Sequence, residues 1–139
     1  MGSNILVIFA KTITRSSGLK ISAIASINIL VILFLRSNAL IPYVAMLLSV
    51  VASASAIIVD FRLHSILLYV LFVYGLRPGN VRLLISLYSL LVAIVLSLPY
   101  LMIDLVSFSL SLSMTFLTAL SILSLIYRSI KNTAYVPQI

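Results

Sequence analysis

Long apolar runs separated by short polar junctions are the main pattern of this chain. Apolar segments are predicted at about residues 21–41, 39–59, 63–76, 83–103 and 105–127. The charged residues lie at the junctions or in the tails and never in the middle of a run. Because a charge near the centre of a bilayer is costly, this spacing predicts a membrane protein whose long runs are transmembrane helices.

The segment at 63–76 is shorter than the others. At about 1.5 Å per residue it reaches only about 21 Å, whereas the hydrocarbon core of a bilayer is about 30 Å thick. The residues Arg77, Pro78, Gly79 and Asn80 follow it and have the composition of a turn. We therefore predict a re-entrant or interfacial helix that ends at this turn, and a variant in which the segment crosses the membrane stays open.

The predicted fold class is all-α: one polytopic helical bundle over residues 1–139, with four full transmembrane helices and one short helix. A basic N-terminal region (1–20) and a tail (128–139) flank it. The alternating serines of Ser107–Met114 are typical of a half-buried strand. An isolated strand cannot satisfy its backbone in lipid, so we interpret this stretch as helix.

Composition excludes an ordinary soluble domain. Hydrophobic residues make up 63% of the chain, charged residues make up 8%, and the mean hydropathy is +1.33, whereas soluble domains carry about a quarter charged residues. The chain has no cysteine, which excludes disulfides and iron–sulfur clusters. The net charge of +7 favours contact with anionic lipid headgroups.

The positions of the cations predict an orientation. If 63–76 does not cross, eight cations share one side of the membrane: Lys11, Arg15, Lys20, Arg62, Arg77, Arg82, Arg128 and Lys131. Only Arg36 then lies opposite. If the segment crosses, the division is four against five. Because cytoplasmic loops are enriched in Lys and Arg, the four-span arrangement predicts a cell-membrane protein with both termini in the cytoplasm.

Small residues recur on one face of several predicted spans. The stripes in the second and fourth runs are Ser49, Ala52, Ser53 and Ala56, and Ser86, Ser89, Ala93 and Ser97. Small side chains let helix backbones approach closely in lipid, so these stripes predict helix packing, either within the bundle or between subunits. Asn28, near the middle of the first span, is predicted to form an interhelical hydrogen bond, and a role in substrate binding is the alternative.

Asp60 and His64 form the one candidate polar pair. They are four residues apart and share a face if the chain is helical there. A proton-handling role is one hypothesis, and an interfacial or capping role is the simpler one. A single histidine without cysteines or several carboxylates makes no metal site, so no metal and no cofactor are predicted. Asp104 is predicted to cap the last helix.

The chain offers no nucleophile–base set, no phosphate-binding glycine loop and no paired carboxylates. We therefore expect a non-enzymatic structural or assembly subunit of a larger or homo-oligomeric membrane complex. A membrane component of a transporter or channel is the first alternative, and a self-assembling coat or filament protein of a virus or pilus is the second. The expected partners are membrane lipid, other membrane subunits or copies of itself, with nucleic acid expected only for a coat protein.

Overall fold

The computed structural model describes residues 2–35, 38–73 and 77–134. Within these ranges the chain forms six α-helices and one 3-10 helix, with no strand. They are α1 (Gly2–Arg15), α2 (Ser17–Phe34), α3 (Ile41–Val59), α4 (Phe61–Val73), α5 (Pro78–Ser97), the 3-10 helix (Leu98–Met102) and α6 (Leu105–Ala134). The alternating stretch Ser107–Met114 lies inside α6, so its interpretation as helix is confirmed.

Four of these helical segments are long and apolar enough to cross a membrane. They cover Ser17–Phe34, Ile41–Val59, Pro78–Met102 and Leu105–Asn132. The shorter α4 is apolar over Phe61–Val70 and comes between the second and third of them. The predicted fold class, an all-α bundle with four spans and one short helix, is confirmed.

Local sequence signals explain where the helices begin. Prolines stand at the first or second position of α3, α5 and the 3-10 helix, where a missing backbone N–H costs nothing. Helix α5 ends at Ser97 and 3-10 geometry begins at Leu98, because Pro99 has no backbone N–H with which to continue the α-helical hydrogen bonds. Asp104 accepts a hydrogen bond from the backbone of Ser107 and so caps α6 as predicted.

The N-terminal region differs from the prediction. Residues 1–20 were expected to form a short basic segment before the first span, but α1 occupies Gly2–Arg15 and α2 starts at Ser17 instead of position 21. The cause is local, since Ser16 adopts an extended conformation and its hydroxyl accepts from the amide of Leu19. Helix α2 ends at Phe34, short of the predicted 41, and α6 continues to Ala134, beyond the predicted 127.

The spans pack as two antiparallel pairs, α2 with α3 and α5 with α6, which are joined because α3 contacts α6 and α2 contacts α5. Helix α4 packs on α6. The core contains Ile57, Val92 and Leu96, all fully buried. Large apolar side chains also cover the outside, and Phe34 is 79% exposed. So much exposed apolar surface is suited to lipid rather than to water.

Candidate functional site

The break between α1 and α2 faces the break between α3 and α4. Ser16 stands at the first break and Asp60 at the second. The Asp60 carboxylate accepts hydrogen bonds from the backbone amides of Gly18, at 3.0 Å, and Ser17, at 3.1 Å. These amides belong to the first turn of α2, where N–H groups lack intrahelical partners and the helix dipole is positive. The anion-binding end of α2 is therefore filled by the chain's own carboxylate.

Two hydroxyls complete the hydrogen bonding of this carboxylate. Ser16 Oγ donates to Asp60 Oδ2, and the hydroxyl of Tyr88, from the middle of α5, lies 3.0 Å from the same oxygen. The two hydroxyls are 2.7 Å apart. Asp60 is only 5% exposed. A buried carboxylate is tolerated when its oxygens accept hydrogen bonds. Here four groups, from α2, its cap and α5, donate to them.

Gly18 makes this geometry possible. A Cβ at this position would lie 2.2 Å from the carbonyl oxygen of Ala56 and 3.0 Å from Asp60 Oδ2. Only a residue without a side chain lets the start of α2 approach the end of α3 so closely. One turn later Ser22 is also fully buried, and its hydroxyl donates to the Gly18 carbonyl within the same helix.

His64 extends the polar cluster into α4. It is 4% exposed, and its ring meets the Tyr88 ring edge-on with centroids 4.5 Å apart. Its backbone amide donates to the Asp60 carbonyl at 2.9 Å, while its Nε2 has no partner within the described chain. His64, Tyr88 and Thr12 border a mostly apolar cavity of about 20 Å³. That volume holds about one water molecule.

The structure thus brings the predicted pair Asp60 and His64 into one buried cluster, but with Tyr88 beside both side chains. Ser16 and Tyr88 were not predicted from the sequence. For Ser16 a signal existed, because serine directly before an apolar helical run is typical of an N-cap. Tyr88 carried no such signal, since a tyrosine in an apolar run also fits an interfacial position.

A second, smaller polar contact lies elsewhere in the bundle. The hydroxyls of Tyr100 and Ser49 are 2.8 Å apart, and Ser49 also donates to the Ala45 carbonyl at 3.0 Å. Ser97 of α5 donates to Ser111 of α6 at 3.3 Å. These contacts link three of the four spans, α3, Pro78–Met102 and α6, through neutral hydroxyls.

The predicted packing residues divide into three groups by burial. Six are fully buried: Ser49, Ser53, Ala56, Ser89, Ala93 and Ser97. Ala52 and Ser86 are half-buried. Asn28 is exposed on the outer face of α2, so the structure does not place it between helices of the monomer, because the inward face at this level belongs to Ile29.

The predicted turn at residues 77–80 is also corrected. Arg77 precedes α5 as its N-cap, whereas Pro78, Gly79 and Asn80 form the first turn of the helix. The amide of Asn80 donates to the Arg77 carbonyl at 2.9 Å. Proline and glycine near a helix start have the same composition as a free turn, which explains the error. Residues 74–76 lie outside the described ranges.

In the parts of the chain that the structure describes, no three His, Cys, Asp or Glu side chains come together as metal ligands. The cluster of Asp60, Ser16, Tyr88 and His64 offers hydrogen bonds and sites for a proton. Comparison of the chain with protein families, curated proteins and solved structures finds no match.

Proposed function

We propose that this chain is a non-enzymatic integral membrane protein that acts as a structural or assembly subunit, joining copies of itself or other membrane subunits. The observation that carries the proposal is the position of Asn28. Its amide lies near the middle of an 18-residue span and on the outside of the monomer. Polar groups at this depth in a membrane are rare and are usually satisfied by a neighbouring helix.

The surroundings of Asn28 support a helix contact. Within the described chain no hydrogen bond reaches its amide, and the exposed Ile24 and Val31 lie one turn away on either side. A buried amide without hydrogen-bond partners costs about 1–3 kcal/mol in mutated proteins, and more in a purely apolar medium. A second helix that supplies hydrogen bonds at this point removes that cost, and asparagine pairs between membrane helices do so.

The outer surface of α6 adds a second argument. Ser109, Ser113 and Ser121 are exposed there, and each donates its hydroxyl to a carbonyl three or four residues earlier. These serines are therefore satisfied without a partner, but their small size allows another backbone to approach. Small residues at such spacing are typical of helix contacts in membranes.

The oligomeric mass in mild detergent and in lipid nanodiscs tests this function. We expect the purified protein to form a defined assembly or to retain a membrane partner, and Asn28→Leu to weaken that association by about one order of magnitude. Asn28→Gln keeps the amide and should therefore preserve the association. The matched control is Asn132→Leu, a change at an exposed position near the end of α6. A wild-type monomer without partners would overturn the proposal, as would equal effects of Asn28→Leu and Asn132→Leu. Large regular particles would instead support the coat or filament alternative.

We further propose the cell membrane as its location, with both termini cytoplasmic and α4 re-entrant or interfacial. Four spans with this arrangement place eight of the nine cations on one side. Helix α4 has 13 residues, about 20 Å, which is too short for an upright crossing. Anionic headgroups on the basic side are the expected lipid partners.

The Asp60 cluster favours a second candidate, a membrane component of a transporter or channel. Transporters often place substrate or ion sites where helices are broken and a half-helix N-terminus is exposed to the site. Here two helix breaks meet at a buried carboxylate. Solute or proton flux into proteoliposomes that contain the chain, lost in Asp60→Asn, would support this candidate. If neither the wild-type protein nor Asp60→Asn produced flux, the structural subunit would remain the proposed function.

A further inference from the structure

A groove between α5 and α6 concentrates positive charge. It lies where α5 begins and α6 ends, has a volume of about 470 Å³, and is bordered by Arg82, Arg128 and Lys131. All three side chains are exposed. Pockets that bind small molecules have volumes of about 300–1,000 Å³, so the groove has room for a ligand.

No carboxylate of the described chain neutralises these cations. The chain has two acidic residues. Asp60 is buried in its own cluster, and Asp104 caps the opposite end of α6. From Asp104 to Arg128 the helix rises by about 36 Å at 1.5 Å per residue. The groove therefore attracts an anion from outside the chain.

Hydroxyl groups stand beside the cations. Ser86 of α5 and Ser124 and Tyr127 of α6 also line the groove. The Ser124 hydroxyl donates to the Leu120 carbonyl, which leaves it as an acceptor. The Ser86 hydroxyl makes no hydrogen bond in the described part of the chain and is a free donor. Two guanidinium groups, an ammonium group and a donor hydroxyl match the oxygens of a phosphate.

An apolar groove continues from the basic one. It has a volume of about 400 Å³ and shares Arg82 and Ser86 with it. Its other walls are Leu83, Leu87, Leu90 and Phe116. Leu90 and Phe116 lie near the middle of the spans Pro78–Met102 and Leu105–Asn132. The two grooves together run from the end of the helix pair towards the centre of the membrane.

We propose that this paired groove binds one anionic phospholipid. The phosphate lies among Arg82, Arg128 and Lys131, and an acyl chain lies along Leu87, Leu90 and Phe116. A free phosphate compound would satisfy the cations but would leave the apolar groove unused. Basic pockets at the ends of membrane helices are known recognition sites for anionic headgroups.

Lipid retention measured by native mass spectrometry tests the site. The full-length protein is titrated with phosphatidylglycerol and, separately, with phosphatidylcholine, which has the same acyl chains but no net charge. We expect one phosphatidylglycerol to bind more tightly than phosphatidylcholine. Arg82→Gln, Arg128→Gln and Lys131→Gln should each weaken phosphatidylglycerol binding about fivefold. Arg62→Gln, on the exposed face of α4 and outside the groove, is the matched control.

A second pair of variants tests the acyl groove without changing charge. Leu90→Trp narrows that groove, whereas Leu47→Trp places the same side chain on an exposed position of α3. We expect weaker phosphatidylglycerol binding in Leu90→Trp and unchanged binding in Leu47→Trp. Inorganic phosphate and glycerophosphoglycerol, which lack acyl chains, should compete only weakly.

Three results would overturn the proposal. The first is an equal loss of phosphatidylglycerol binding in Arg62→Gln and in the groove variants, which would attribute the binding to general surface charge. The second is displacement of the lipid by millimolar inorganic phosphate with no effect of Leu90→Trp, which would assign the basic groove to a soluble phosphate compound. The third is equal retention of the two lipids. None of these results bears on the oligomeric mass, so this site and the assembly function are tested separately.

Discussion

Gly18 lies so close to the carbonyl of Ala56 that a single additional carbon would be 2.2 Å from the oxygen. This contact holds the start of α2 against the end of α3, at the point where the Asp60 carboxylate receives the Ser17 and Gly18 amides. The closeness of the two backbones and the burial of the charge depend on each other. A change at Gly18 or at Asp60 should therefore destabilise the same contact between α2 and α3.

Replacing Gly18 with alanine should destabilise the protein by about 1–3 kcal/mol, because overpacking a tight contact forces the backbones apart. Thermal unfolding in detergent measures the effect. The control is Gly79→Ala in the first turn of α5, where an added Cβ meets nothing within 4 Å. That variant should be neutral or slightly more stable, since alanine restricts the unfolded chain more than glycine does. Equal melting temperatures for the two variants would contradict the close contact.

Asp60→Asn should also destabilise the fold. The side chain keeps its shape but loses the negative charge, and its nitrogen cannot accept. Depending on the orientation of the amide, the nitrogen faces either the Ser17 donor at the Oδ1 position or the donors Ser16, Gly18 and Tyr88 at the Oδ2 position. Hydrogen bonds to a charged group are worth about 1.5–3 kcal/mol, so a loss of at least that size is expected in denaturant titrations. Asp104→Asn is the matched change at an exposed cap, and because asparagine caps helices as well as aspartate, it should cost little. A stable Asp60→Asn protein would show that the carboxylate is not needed for folding.

Two tyrosines that are buried in the described part of the chain provide a direct comparison. Tyr88→Phe removes a donor to the Asp60 carboxylate, whereas Tyr100→Phe removes a contact with the neutral Ser49 hydroxyl. We expect a loss of about 1.5–3 kcal/mol for Tyr88→Phe and about 1 kcal/mol for Tyr100→Phe in the same unfolding assay. The reverse order would mean that Tyr88 contributes mainly through its ring, which packs against His64.

Single cysteines test the topology without a background signal, since the natural chain has none. Asn38→Cys, Gly79→Cys and Asn132→Cys are at exposed positions outside or at the ends of the spans. With four spans, a membrane-impermeant thiol reagent should label positions 79 and 132 from one side and position 38 from the other. If α4 crosses the membrane, all three positions would be labelled from the same side.

The number and positions of the candidate spans could be predicted from the sequence, because they depend on the order of apolar and charged residues along the chain. Charges avoid the bilayer centre, and runs of apolar residues record that avoidance directly. The same pattern also identified the short helix that became α4. Helix ends were less accurate, as at Ser16 and Phe34, because capping depends on a few local hydrogen bonds.

Only part of the candidate site, the pair Asp60 and His64, could be predicted from the sequence. Asp60 and His64 stood out as rare polar residues four positions apart, but their partners come from residues 16 and 88, which only the tertiary structure brings near. Helix α1 was missed for a different reason. Its apolar residues Ile5, Ile8 and Phe9 follow a helical spacing, but the stretch is too short and too polar to register as a span.

The hydrogen bonds of Asp60 also set an order for biogenesis. Its amide partners at residues 17 and 18 emerge from the ribosome before it, while its phenol partner at residue 88 emerges 28 residues after it. Until α5 is inserted, the carboxylate lacks one of its buried donors, and the pair of α2 and α3 stays incomplete. The third span thus completes the hydrogen bonding of Asp60 at the contact between the first two spans. We therefore expect a chain truncated before Tyr88 to remain a substrate for quality-control proteases, even after its first two spans have entered the membrane.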